Sequence, residues 1–300
     1  MTLGYEGSLY ILAFDHRGSF QKKFFGVQGD PTAEETARIS DAKAVIFEGF
    51  RKALDTGVDK MVAGILVDEQ FGADVAHSAK ADGIRFAMPA EKSGQEEFDF
   101  EFPDWQDHIR AFDPTFTKVL VRYNPAGDGA MNARQSGRLI QLSDWLHHNN
   151  RKFLFELLVP ATADQLASVG GDTVRFDKEL RPELMRTAIA ELQADGIEPD
   201  IWKIEGLDTR EQCEAVATQC RSAGRDGVAC VVLGRGADDA ALNHWLRMGR
   251  NVPGYLGLAI GRSIWWEPLK AFVDGASSRE DAASKISENY RRFVNVYVNG

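Results

Sequence analysis

Eight short apolar runs rich in β-branched residues, most of them followed by enough chain for a helix, constrain this sequence more than any other feature. They occupy residues 9–14, 61–67, 84–88, 118–123, 153–159, 201–205, 228–233 and 256–260. Most are continuously hydrophobic rather than alternating, the pattern of strands covered on both faces in a parallel sheet. Right-handed crossovers close eight such strand and helix units into a ring. The expected fold class is therefore α/β, a single (β/α)8 barrel, and with no linker or low-complexity tract the whole of residues 1–300 is expected to be one domain.

The intervening segments carry helix signals. Thr32 and Glu35 form a capping box after Pro31, and Ile39, Ile46, Phe50 and Leu54 follow at helical spacing. Asp208 is expected to cap a second helix, on which Cys213, Val216, Ala217 and Cys220 share one face. With Cys230 in a strand, and no Cys-x-x-Cys spacing, all three cysteines are expected to be core residues. Further helices are expected over 105–112, 130–148, 181–194, 238–249 and 280–296.

Composition narrows the function classes. Hydrophobic residues at 44% and charged residues at 27% match an ordinary globular protein. No apolar run reaches 18 residues and the N-terminus lacks a signal-peptide pattern, so a cytoplasmic chain without a membrane partner is expected. Three cysteines agree with a reducing compartment. A net charge of −10 argues against general nucleic-acid binding, so an anionic ligand needs a local site. The acidic surface permits a homo-oligomer.

A barrel carries its reactive groups at the C-terminal ends of its strands. Polar residues gather there: Asp15, His16, Arg17 and Gly18 after the first strand, Asp68, Glu69 and Gln70 after the second, and Glu91, Lys92, Ser93 and Gly94 after the third. The fourth run holds Lys118, Arg122 and Asn124, the fifth Glu156, and the sixth Lys203 and Glu205. The seventh ends in Gly234, Arg235 and Gly236, and the eighth in Gly261, Arg262 and Ser263. Loops after strands seven and eight commonly build a barrel's phosphate site. Glycines admit close backbone approach, a helix start favours an anion, and arginine grips two phosphate oxygens. A phosphorylated small molecule is the ligand expected there.

Lys203, within Ile-Trp-Lys-Ile-Glu-Gly, points either to the helices or into the barrel. Inward, desolvation and cations such as Lys118 favour the neutral amine, which attacks carbonyls to form a Schiff base. Glu205, two residues on, faces the same way, and Glu156 is one strand away. A buried Lys-Glu ion pair of purely structural value is the competing reading. Trp202 should face the outer layer, and Trp265 and Trp266 should pack a final helix. No His-x-His or His-x-x-x-His pair offers a zinc site, and His147 and His148 are expected at the surface. Asp68, Glu69, Glu156 and Glu205 leave an oxygen-ligand magnesium site open. No Gly-x-Gly-x-x-Gly follows a strand, so no nicotinamide cofactor is expected; the expected site needs neither cofactor nor metal. The segment 96–105, rich in Phe and acid, is a candidate cover for the site.

Taken in order, Ala-Phe-Asp-His-Arg-Gly-Ser, Val-Asp-Glu-Gln-Phe-Gly, Ala-Glu-Lys-Ser-Gly, Thr-Lys-Val-Leu-Val-Arg-Tyr, Phe-Leu-Phe-Glu-Leu, Asp-Ile-Trp-Lys-Ile-Glu and Gly-Arg-Ser-Ile-Trp form a recognisable set. The chain resembles the class I aldolases of the tagatose 1,6-bisphosphate aldolase group. Within it, the chain is most similar to the aldolases of myo-inositol catabolism that cleave 2-deoxy-5-keto-D-gluconate 6-phosphate and also occur fused to a sugar kinase. The resemblance implies that Lys203 forms the Schiff base, Glu156 is the nearby acid/base, Lys118 lies close to the reacting carbon, and Asp15 contacts a substrate hydroxyl or the imine. It implies a phosphate grip at Gly261 and Arg262, completed by Gly234 and Arg235, and a Glu-Lys pair at Glu91 and Lys92. His16 departs from the glutamine usual in the tagatose enzymes, and the Gly-Arg-Gly at 234–236 replaces a different loop. The implied reaction yields dihydroxyacetone phosphate and malonate semialdehyde. A tagatose or sulfosugar aldolase, a transaldolase, and a phosphosugar-binding barrel without turnover are the alternatives.

Overall fold

In the computed structural model, which describes residues 2–300, eight parallel strands close into a barrel in sequence order. They are β1 (Leu9–Ala13), β2 (Ala63–Leu66), β3 (Arg85–Pro89), β4 (Phe116–Arg122), β5 (Lys152–Leu158), β6 (Ile201–Glu205), β7 (Ala229–Leu233) and β8 (Tyr255–Ile260). The barrel expected from the apolar runs is the one found. β4 begins two residues earlier than the run suggests, because Phe116 pairs with both β3 and β5.

Side chains of a strand alternate between two faces, and here both faces are buried. The inward set, including Leu9, Ile11, Phe116, Leu154, Ile201 and Val231, plugs the barrel interior. The outward set joins a larger core against the helices. Trp202 belongs to that outer layer, its ring 4.9 Å from Phe155. Tyr5 closes the lower end of the plug, edge-on to Phe116.

The helix Ala33–Asp55 has the capping box expected of Thr32 and Glu35. It packs against the last helix, Arg279–Asn299, where Tyr290 lies against Phe50 and donates its hydroxyl to the carbonyl of Tyr10 on β1. The helix Arg210–Cys220 is capped by Thr209, not by Asp208: the Thr209 hydroxyl accepts from the N–H of Gln212, whose carboxamide oxygen accepts from Thr209. Asp208 instead accepts from the indole of Trp245. Cys213, Cys220 and Cys230 are buried free thiols, as their apolar spacing implies.

Helices Gly18–Phe25 and Glu69–Ala81 are absent from the sequence expectation, although Phe71, Val75, Ala76 and Ala79 share one buried face of the second. Trp265, in the helix Arg262–Val273, is fully buried and donates its indole N–H to Ala13. Trp266 packs edge-on against Phe24. His147 is half-buried and His148 exposed at the end of the helix Gly129–His148. Among the described residues no helix is long and apolar enough to cross a membrane.

Candidate active site

β4, β5 and β6 set the site. Phe116, Leu154 and Ile201 point into the plug, so two residues further on Lys118, Glu156 and Lys203 point into the barrel one layer above it. Glu156 and Lys203 are direct neighbours in register. Ala13, Ala87 and Ala259 from β1, β3 and β8 also face the interior. Small side chains there leave space that longer ones would fill, and a cavity of about 340 Å³ opens above the plug.

Five ionic groups meet at its floor. The Lys203 Nζ lies 2.9 Å from Glu156 Oε1, while the second oxygen of Glu156 lies 3.1 Å from the Nζ of Lys118. Lys118 also donates to Asp15 at 2.8 Å and to Glu91 at 2.7 Å. Burial opposes every one of these charges, and the pairing decides which survive. Burial alone would raise Asp15, but the charges of Lys118 and Lys203 outweigh it and hold the carboxyl well below its usual range. Glu156 is lowered for the same reason, with Lys203 and Lys118 overcoming its desolvation. Lys118 loses solvation too, yet Asp15, Glu91 and Glu156 push it above the ordinary lysine range. At Glu91 burial wins over Lys118 and Arg17, and the carboxyl is raised; its second oxygen has no hydrogen-bond partner. The sequence expectation that Lys118 acts as a cation pressing on Lys203 therefore needs correction. Lys118 is ringed by three carboxylates, and Glu156 stands between the two amines.

Other expected residues surround this floor. Arg17 is buried, donates to the carbonyl of Glu91 at 2.7 Å and pairs with Glu101 at 2.7 Å. His16 lines the cavity edge-on to Trp265, with an unpartnered Nδ1. Burial, helped by the charge of Arg262, pulls its imidazole down to about 4 against the attraction of Asp15. Lys92 sits exposed at the rim.

The β7 and β8 loops form the opposite wall. The helix Arg262–Val273 starts at Gly261 with no side chain capping it, so its first N–H groups are open to an anion. A Cβ at Gly261 would lie 2.5 Å from the carbonyl of Ala13, which requires glycine there. Gly236 has φ +73°, and a Cβ on it would sit 2.8 Å from the Arg262 guanidinium. Gly234 and Ser263 also line this wall, the latter donating to the carbonyl of Ala237.

Two expectations fail in this region. The helix Asp239–Gly249 after β7 does not offer its N-terminus to a ligand, because the Asp238 carboxylate caps it. Glu205 faces inward but does not line the cavity: its carboxylate is held by Arg181 and Arg235 at 3.0 Å each and accepts from the N–H of Val159. Arg235 lines the cavity while paired with Glu205 and Asp177, so Arg262 is the guanidinium of this wall left without a carboxylate among the described residues.

The polar end of β2 stays outside the site. Asp68 is fully buried against Lys43, and Glu69 pairs with His108 at 2.8 Å. The four carboxylates that left a magnesium site open each have their own basic partner and do not converge; among the described residues no three His, Cys, Asp or Glu side chains are grouped to hold a metal ion. The segment 96–105 flanks the mouth without covering it. Phe98 is fully buried, Phe100 stacks on Trp105, Arg134 and Arg138 hold Glu97, and the lining ends at Gln95.

Sequence reasoning named Arg122 and Ser93 at strand ends without assigning them to the site, and missed Gln95 and Ser19, all of which line the cavity. It also missed Asp177, Arg181 and Lys43, which hold the lining in place. Lys43 did leave a signal: it lies on the apolar stripe between Ile39 and Ile46.

This architecture, a closed eight-stranded barrel with ionisable groups at the strand ends, is the fold found in Schiff-base aldolases. An archaeal fructose 1,6-bisphosphate aldolase is similar with a TM-score of 0.60 at 13% identity, over 98% of this chain and 95% of that one. A Schiff base forming fructose-1,6-bisphosphate aldolase is similar with a TM-score of 0.57 at 13% identity, over 96% and 94%. The protein Cgl0159 of Corynebacterium glutamicum (Brevibacterium flavum) gives 0.58 at 16% identity, over 98% and 88%. At these identities the likeness is one of fold. The chain belongs to the family described as "Uncharacterized protein conserved in bacteria (DUF2090)", whose model matches residues 4–299. No protein of curated function matches it.

Proposed function

We propose that this chain is a class I aldolase that cleaves a phosphorylated keto sugar acid, 2-deoxy-5-keto-D-gluconate 6-phosphate, to dihydroxyacetone phosphate and malonate semialdehyde in the cytoplasm. The observation that carries this reading is Lys203: a lysine pointing into the barrel, with one carboxylate partner, lining a cavity whose wall presents Gly261, Arg262 and an open helix start. A purely structural ion pair needs no cavity beside it. The shared fold with Schiff-base aldolases supports the same class.

The Lys203 amine passes a proton to Glu156 and adds to the C5 carbonyl; loss of water leaves an iminium. Removal of the C3 hydroxyl proton breaks the C3–C4 bond, with its electron pair moving into the iminium to give an enamine. Malonate semialdehyde leaves. Protonation of the enamine carbon and hydrolysis of the resulting imine release dihydroxyacetone phosphate and restore the amine. Glu156 is the proton carrier within reach, and Lys118 holds its second oxygen so that the first stays on the Lys203 side. Arg262 and the first turn after Gly261 hold the phosphate.

The test is borohydride reduction in the presence of dihydroxyacetone phosphate, followed by peptide mass spectrometry. The expected result is one reduced adduct at Lys203, absent in Lys203→Met, with cleavage activity retained in excess chelator. An adduct elsewhere, or activity abolished by chelator and restored by zinc or magnesium, overturns the mechanism. Assays with tagatose 1,6-bisphosphate and with sulfosugar phosphates decide the substrate.

A further inference from the structure

The chain carries a net charge of −10, yet its cavity is lined by seven Lys and Arg side chains against three carboxylates. Four of the seven are neutralised where they stand: Lys118 and Lys203 by the floor carboxylates, Arg17 by Glu91 and Glu101, and Arg235 by Asp177 and Glu205. Among the described residues the other three, Arg262, Lys92 and Arg122, have no carboxylate partner.

Their positions in the ring divide them into two poles. Arg262 follows β8, whereas Lys92 follows β3 and Arg122 ends β4. In a closed barrel ordered β1 to β8, β4 lies four strands from β8 in either direction, directly across the mouth, and β3 is the neighbour of β4. The far pole has a third unsatisfied donor. The Nε2 of Gln95 is buried and has no acceptor, while its Oε1 accepts from the N–H of Asp99. Arg122 spends one N–H on the carbonyl of Gln95, which ties the loop to the strand and leaves the rest of the guanidinium for a ligand. An orphaned buried donor beside two unpaired cations is costly unless an acceptor-rich anion comes to it.

We infer that Arg122, with Lys92 and Gln95, binds the second anionic group of the substrate, a carboxylate at the end of the chain remote from the phosphate, and so sets which aldehyde the enzyme releases or accepts. This rests on the aldolase reading above. A substrate stretched between the poles crosses Lys203 midway, with its phosphate at Gly261 and Arg262. Arg122 is a specificity residue for the aldehyde half and is not part of the proton transfers.

The test runs the reaction in the condensation direction with dihydroxyacetone phosphate and three aldehydes: malonate semialdehyde, glyceraldehyde 3-phosphate and uncharged propionaldehyde. The wild type is expected to favour malonate semialdehyde over propionaldehyde, and Arg122→Gln to raise the KM for malonate semialdehyde roughly tenfold to a hundredfold, the size of a charge-assisted contact. Propionaldehyde should change little, and Arg122→Lys should recover part of the preference. Equal losses for charged and uncharged aldehydes, or no preference in the wild type, overturn the inference. A wild-type preference for glyceraldehyde 3-phosphate overturns the carboxylate in favour of a second phosphate. Borohydride trapping with dihydroxyacetone phosphate alone, run on each variant, reports on the Schiff-base reading separately: without a wild-type adduct at Lys203 it is that reading which fails.

Discussion

Replacing Lys43 with methionine isolates a buried charge that no chemistry proposed above uses. Lys43 is fully buried between helix and barrel, where its ammonium donates to the carbonyls of Phe14 at 2.9 Å and His16 at 3.0 Å and to the Asp68 carboxylate, itself fully buried. Methionine keeps the length and volume of the stem, so little cavity forms and the cost is mainly electrostatic. Asp68 would retain the N–H of Phe71 as its hydrogen-bond donor and lose its counter-ion. Breaking a buried pair by removing one partner costs about 3–5 kcal/mol, which in a chain of this size lowers Tm by on the order of ten degrees. Asp68→Asn should cost a similar amount, because it strands the lysine instead. The double variant strands neither charge and should be no less stable than either single variant. Thermal and urea unfolding of the four proteins is the assay. A Tm within about two degrees of wild type for Lys43→Met, or additive losses in the double variant, would refute the reasoning.

His16 gives a pH prediction. Its folded-state value of about 4 lies below the ordinary 6.5, so the unfolded chain takes up the proton first. Stability is then full above pH 6.5 and falls as pH drops from about 6.5 to about 4; His16→Gln should flatten that part of a Tm against pH curve, and parallel curves would count against it. Glu205→Gln should weaken the hold on the wall proposed to bind the phosphate, since Arg181 and Arg235 both lean on that carboxylate. The expected outcome is a loss of about 2–4 kcal/mol in stability and a raised KM for the phosphorylated substrate, with the Lys203 adduct still formed; an unchanged KM would show that Arg235 is held without it.

The barrel was legible because its strands are buried on both sides: continuous apolar runs such as Ala229 to Leu233 have few other uses in a chain with this much intervening helix. The same fact made Lys203 conspicuous. In a strand where it lies between Trp202 and Ile204, a lysine is an exception that needs a partner and a space, and the parity of the strand fixed which way it faces. Helix starts were less legible, since capping is decided by geometry rather than residue type. Asp208 and Thr209 both have side chains fit for the role, and only the extended conformation and paired bonds of Thr209 select it.

Side-chain partnerships across the ring were the least legible part, and they alter the chemistry most. Strand parity places Glu205 beside Lys203 on the inner face, yet two residues of rise lift it clear of the floor, to where Arg181 arrives from a helix that begins 24 residues earlier in the chain. No local signal announces that arginine. Its arrival converts Glu205 from a possible partner of the amine into an anchor for Arg235, and leaves Glu156 as the sole carboxylate on Lys203 among the described residues. The proposed assignment of proton carrier thus draws on long-range contacts: Arg181 and Arg235 hold Glu205, while Glu156 pairs with both Lys118 and Lys203.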